Sequence, residues 1–315
     1  MKKRLNAKTV KRLLSLPHVV GIGYGPKETS GKVTAPKSIV VMVDKKFPKS
    51  KLSRSHMVPK YIEGMRSDVV EVGILRVRPP RLIKKMSTAR SSKSRTSRWR
   101  PAPGGVSIGH FQITAGTLGS VVFKKHSGKK MILSNNHVLA NSTNGRDGLA
   151  RTGDPILQPG PLDGGTIRRD TIARLYQFVP LKDKGFNVVD AAIAKPLNPS
   201  LVENRILGIG NVNGITLPRT GMMVKKSGRT TGLTSGTIRA VDVTIIIDYD
   251  GKLRKFMHQI VTNSFDKPGD SGSLVLDSSN RAVGLLFAGS ETTTIINPIS
   301  AVLKLLKIRF KKPAK

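Results

Sequence analysis

Pro268–Gly269–Asp270–Ser271–Gly272–Ser273, running into the apolar Leu274–Val275–Leu276, is the stretch of this 315-residue chain on which the fold turns. A serine hydroxyl is a poor nucleophile unless a base removes its proton. It also needs backbone N–H groups nearby to hold the oxyanion that forms on attack. Glycines on both sides of Ser271 allow a turn sharp enough to aim such groups inward. The same residue types also make ordinary surface turns, so the segment decides nothing until partners are found.

Two partners stand upstream. In Met131–Ile132–Leu133–Ser134–Asn135–Asn136–His137–Val138–Leu139–Ala140, His137 follows an apolar strand directly, at the edge of a core. His18, His56, His110, His126 and His258 lack that setting. In Val188–Val189–Asp190–Ala191–Ala192–Ile193–Ala194, Asp190 is the lone charge of an apolar strand. A carboxylate there must be paired or hydrogen-bonded, and it could hold an imidazole in one tautomer. Asp147, Asp154, Asp163 and Asp170 lie in Gly/Arg-rich segments that read as solvated loops. The order is His, Asp, Ser, with the first two in one half of a β-rich region and the serine in the other, as two barrels with a site between them require.

That region spans residues 104–315. Short β-branched strands alternate there with Gly, Asn, Asp and Ser turns, a sandwich or barrel pattern. Strands are expected at 117–124, 130–133, 166–178, 188–194, 222–225, 237–247, 253–262, 273–276 and 282–287, with Asp248–Tyr249–Asp250–Gly251 as a hairpin turn. A helix closes the chain, with Asn297 as its cap and Pro298 in its first turn. Residues 1–75 read as a small α+β domain: a helix over 7–16, strands at 18–24, 38–44 and 68–75, and a turn at 30–32. Residues 76–103, rich in Arg, Lys, Ser and Pro, read as a basic linker. The two barrels meet near residues 200–215. Gly21-x-Gly23-x-Gly25 fails the Walker pattern and reads as a turn.

On these motifs residues 104–305 resemble the trypsin-like (chymotrypsin-fold) serine peptidases of bacterial type. Gly269–Asp270–Ser271–Gly272–Ser273 matches the family's GDSGG except in the last residue, and His137 matches its motif more in place than in letters. Lys226–Ser227–Gly228–Arg229–Thr230–Thr231–Gly232 is similar to a segment of the streptogrisin-like branch. The whole chain, basic N-terminal unit included, resembles bacterial peptidases related to the plant Narrow Leaf 1 proteins. The resemblance implies an all-β double barrel with a small α+β N-terminal domain and a C-terminal helix. It implies a serine endopeptidase with Ser271 as nucleophile, His137 as base and then acid, and Asp190 as orienting carboxylate. The N–H groups of Gly269 and Ser271 would form the oxyanion hole, and no cofactor or metal is implied.

The departures are specific. Phe287 stands where the family often places a serine that supports the aspartate, so support for Asp190 is expected from backbone N–H groups near Asn136 and His137. No Ile-Val-Gly-Gly segment exists to make a new N-terminus for Asp270, which leaves an arginine or local hydrogen bonds to serve it. Phe265, Phe287, Ala288 and Gly289 suggest an apolar substrate pocket, while Asp266 keeps a basic side chain open.

Lys and Arg number 55 against 19 Asp and Glu, a net charge of +36. Ten of the basic residues fall between Arg76 and Arg100. Such a field attracts polyanions in a salt-dependent way. A second reading is therefore a polyanion- or nucleic-acid-binding protein that uses a peptidase-like barrel as scaffold. With four Tyr, one Trp and nine Phe there are few stacking platforms, so non-specific contact through the linker is favoured over sequence reading. The absence of Cys excludes disulfides, thiolate metal sites and cysteine nucleophiles. No apolar run reaches the ~20 residues of a membrane helix. The basic, then apolar, N-terminus broken by Pro17 and His18 favours a cytoplasmic location over secretion. The expected partner is a protein or peptide substrate, and cutting within 76–103 would separate an N-terminal unit that masks or positions the barrel.

Overall fold

The structure, a computed structural model, describes residues 5–29, 32–77 and 93–311. Asn6 caps the first helix, α1 (Ala7–Leu14), by accepting a hydrogen bond from the Lys8 N–H at 2.8 Å. The N-terminal strands are β1 (Val19–Thr29), β2 (Lys32–Val43), β3 (Tyr61–Ile62) and β4 (Met65–Glu71). The next group is β5 (Ala102–Gly104), β6 (Ser107–His110), β7 (Gly116–Thr117), β8 (Ser120–Lys124) and β9 (Lys130–Ser134), then the short helix α2 (Asn136–Leu139). After it come β10 (Pro155–Leu157), helix α3 (Ile167–Asp170), β11 (Thr171–Phe178), β12 (Phe186–Asn187), β13 (Ala192–Pro196) and β14 (Val202–Ile206). The last group is β15 (Met223–Gly228), β16 (Gly232–Tyr249), β17 (Lys252–Asn263), β18 (Leu274–Leu276), β19 (Ala282–Gly289) and β20 (Thr293–Pro298), then α4 (Ile299–Leu306) and β21 (Ile308–Arg309).

Two curled sheets result. The first has the order β21-β8-β9-β13-β11-β10-β6-β7. The second contains β17-β20-β19-β18-β15-β16, and pairing of β16 with β17 closes those six strands on themselves. Both are filled by alternate apolar residues, Ile108, Val121, Ile132, Ile156 and Leu175 in the first and Val224, Ile238, Ile260, Val283 and Ile296 in the second. Met131, Leu133, Leu274 and Leu285 meet Val302 and Leu306 of α4 in a shared cluster that joins the barrels. The fold is thus the β double barrel with a closing helix.

Two expectations change in place. The helix starts after Pro298, and Asn297 spends its side chain elsewhere, on Asp190. Within the expected strand 166–178, residues 167–170 form α3 and the strand begins at Thr171.

The N-terminal strands continue the second sheet. β1 pairs antiparallel with β16, matching Gly21 to Ile245 and Tyr24 to Val241, and β2 and β4 follow outward. Gly21, Gly23 and Gly25 lie inside β1, so the reading of a turn there is corrected. A Cβ at Gly23 would overlap the side chain of Val243, and the strands approach closely because it has none. The expected turn at 30–32 falls largely outside the described residues. Leu13, Ile22, Ile39, Val41 and Ile62 form this unit's own core.

Of the expected linker, 78–92 lie outside the described residues, and 93–103 are built into the first barrel. The Trp99 ring packs on the core, and its indole N–H donates to the Ser94 carbonyl at 2.9 Å. Arg95 donates to the Gly105 carbonyl at 3.0 Å and to Ser227 Oγ at 2.7 Å. Among the described residues no helix is long and apolar enough to cross a membrane.

Candidate active site

Four histidines of the described residues touch an aspartate, and their environments separate them. His18 with Asp44 is exposed, and His258 with Asp242 is half-buried. His110 is buried with both nitrogens used: Nε2 pairs with Asp154 Oδ2 at 3.0 Å, and Nδ1 accepts from the Gln112 N–H at 3.3 Å. His137 sits in α2, at the end of β9, with Nδ1 2.6 Å from Asp190 Oδ2. A carboxylate at Asp190 Oδ2 calls for a proton on Nδ1, and in the neutral ring of that tautomer Nε2 is a lone pair; it is buried, with no hydrogen-bond partner among the described residues. A buried acceptor without a partner is costly in an ordinary core and is the form a general base must take.

Asp190 is fully buried in the segment just before β13, because the strand expected from 188 begins only at Ala192. Burial alone pushes its carboxyl upward. The imidazole of His137, the Tyr249 hydroxyl and the His137 N–H outweigh that and hold it below the usual carboxylate range. The Tyr249 hydroxyl donates to Oδ2 at 2.7 Å, and the His137 N–H donates to Oδ1 at 3.2 Å. The backbone is clamped as well. Asn135 Nδ2 donates to the Asp190 carbonyl at 2.7 Å, and Asn297 Oδ1 accepts from the Asp190 N–H at 3.1 Å.

Ser271 lies on the turn before β18. Its neighbour Gly272 has φ +93°, and a Cβ there would overlap Ser134 Oγ, so the serine turn rests directly on the end of β9, three residues before His137. Thr117 fixes the contact: its N–H donates to the Ser271 carbonyl at 2.8 Å, and its hydroxyl donates to the Gly269 carbonyl at 2.9 Å. The Ser271 hydroxyl is turned to the Phe287 carbonyl at 3.4 Å, a long contact, and makes no hydrogen bond with the imidazole. The N–H groups of Gly269 and Ser271 have no partner among the described residues.

Asp270 is buried under this turn. Lys226 Nζ stands 3.0 Å from Oδ2, with the Thr231 hydroxyl at 2.6 Å from the same oxygen and the Thr230 N–H at 2.8 Å from Oδ1. The counter-charge is thus a lysine and not the arginine considered, while the local hydrogen bonds expected for Asp270 come from Thr230, Thr231 and the Lys267 N–H. Asp163, read as solvated, is buried against Arg229 at 2.5 Å, and Asp154 and Asp170 are likewise shielded.

Beside Ser271 is a small cavity, about 10 Å³, lined by Asp266, Pro268, Ala288, Gly289 and Arg76 among others. Phe265 and Phe287 do not line it. Phe265 packs in the second barrel's core, and the Phe287 ring lies tilted against Phe256 with centroids 4.9 Å apart. Only Asp266, Ala288 and Gly289 of the five expected pocket residues face the cavity. A larger cavity, about 280 Å³, lies in the N-terminal unit beside His18 and Phe47 and holds none of these groups. No group of three or more metal-ligating side chains stands together among the described residues.

A stretch of 123 residues, 36% of the chain, is 32% identical to streptogrisin-A of Streptomyces griseus. The chain resembles the bacterial chymotrypsin-fold serine proteases. It spans 40% of the length of streptogrisin-A. No protein-family model matches it. Among solved structures, Cellulomonas bogoriensis chymotrypsin is 21% identical, aligning 67% of this chain with 99% of its own at a TM-score of 0.47. Nocardiopsis protease is 20% identical over 66% of this chain and 97% of its own, also at 0.47. Sequence reading missed Tyr249, Lys226, Asn297 and Thr117. Tyr249 was hidden inside an apparent hairpin turn, and Lys226 inside a segment notable for its Gly and Thr.

Proposed function

We propose that the chain is a serine endopeptidase working through an acyl-enzyme. The observation that carries this is the buried His137 Nε2, stripped of partners and oriented by Asp190, in a barrel wall that contacts the Ser271 turn. Rotation of the Ser271 hydroxyl from the Phe287 carbonyl toward Nε2 makes the attacking pair. Such contacts are commonly long without substrate and tighten when it binds. The hydroxyl oxygen attacks the scissile carbonyl carbon while Nε2 takes its proton, and Asp190 stabilises the imidazolium formed. The N–H groups of Gly269 and Ser271 receive the oxyanion. His137 then returns its proton to the leaving amine, and water repeats the sequence to release the acid. Asp266, Ala288 and Gly289 in the cavity wall would face the side chain before the cut bond.

A fluorophosphonate probe tests the assignment. Labelling is expected at Ser271 and should vanish in Ser271→Ala; labelling that persists at another serine overturns it. The polyanion reading has less to stand on. Of the basic run, Arg95 and Arg100 spend their guanidinium groups on internal carbonyls and side chains, and Arg98 faces Asp170 at 3.3 Å.

A further inference from the structure

We infer that Tyr249 is a positioning residue of the site, whose hydroxyl sets how strongly Asp190 holds a proton on His137. Asp190 Oδ2 receives two donors at nearly equal distance, His137 Nδ1 at 2.6 Å and the Tyr249 hydroxyl at 2.7 Å. They compete for one oxygen's charge. The phenol comes from the far end of β16, a long hairpin arm that reaches across from the second barrel.

The hydroxyl stays a donor. Burial and the nearby Asp190 charge push the phenol well above its ordinary value, with Arg254 pulling the other way. Arg254 lies 4.9 Å over the ring and is itself engaged by Asp183 at 2.7 Å. The groups facing the phenol are therefore Asp190, His137 and the Arg254–Asp183 pair. Its ring is edge-on to the imidazole at 6.4 Å and stacked on Phe256 at 6.0 Å, so the oxygen has little freedom.

The sign follows. Donation from the phenol withdraws charge from Oδ2, which weakens the grip on the imidazolium and leaves the free base easier to form. Tyr249→Phe returns that charge to His137. The acid limb of kcat/KM should move to higher pH, and kcat should fall about tenfold with KM within about twofold, the scale of one hydrogen bond to a charged group. Replacing the tyrosines by 3-fluorotyrosine makes a stronger donor of the same shape and should move the limb to lower pH. It also provides the test should Tyr249→Phe not fold. In an Asp190→Asn background Tyr249→Phe should add nothing.

The inference rests on the peptidase reading only for its kinetic consequence. The NMR titration of the His137 ring should move to higher pH in Tyr249→Phe even if fluorophosphonate never labels Ser271, so the two can fail separately. An unmoved acid limb and ring titration in both replacements, or a Tyr249→Phe effect that survives in Asp190→Asn, overturns it.

Discussion

Lys226 is a lysine with no exposed surface, and among the described residues its carboxylate partner at contact distance is Asp270, equally buried. Removing one member of a buried pair leaves the other charged and desolvated, at a cost of about 3–5 kcal/mol. Lys226→Met should lose stability on that scale in chemical denaturation, and more slowly react with fluorophosphonate, because Asp270 anchors the turn that carries Ser271. Asp190 gives a pH prediction. Its carboxyl lies lower in the folded than in the unfolded chain, so the stability it contributes is whole above about pH 3.9 and is lost as pH falls through the folded value. Asp190→Asn should flatten the acid end of a stability–pH curve. His137, Asp190 and Ser271 were legible in the sequence because each breaks its surroundings: a histidine ending an apolar strand, a charge inside another, a serine between glycines. Tyr249 and Lys226 were not, because what marks them is a partner 59 and 44 residues away, which no local pattern records.

At the level of elements, composition misled where tertiary contact overrides it. Glycines weaken strands on average, so three in alternation suggested a turn at 21–25. In β1 they face β16, and the missing Cβ atoms allow the close approach. Gly23→Val should therefore strain the junction by about 1–3 kcal/mol, the cost of overpacking. Denaturation would show the loss, and faster amide exchange in β1 than in β15 would locate it. Exchange that quickens equally in both strands would mean that β1 and the barrel open as one. Likewise the Ser/Arg-rich 93–103 offers little apolar surface, yet Trp99 and three arginines tie it to the first barrel through hydrogen bonds that hydrophobic patterning does not detect.

At the level of the whole molecule, the N-terminal unit reaches the candidate site. After β4 the chain crosses to the end of β19, where the Arg76 N–H donates to the Gly289 carbonyl and the Gly289 N–H to the Arg76 carbonyl, both at 3.1 Å. On its other side Leu75 and Val77 bond to Asp248, next to Tyr249, at 2.9 and 3.0 Å. Arg76 also lines the cavity that contains Ser271. An extended peptide that bound antiparallel along β19 would need those same two groups of Gly289, so the chain's own strand would compete with it for one edge. Arg76→Pro removes the donor to Gly289 and should loosen that strand. Cleavage of extended peptides should then rise about fivefold, the scale of one net backbone hydrogen bond. A small fluorophosphonate needs no strand edge and should label Ser271 at an unchanged rate. Peptide cleavage that stays constant or falls in the variant would mean the segment braces the site, through Asp248 and the hairpin carrying Tyr249, and does not obstruct it.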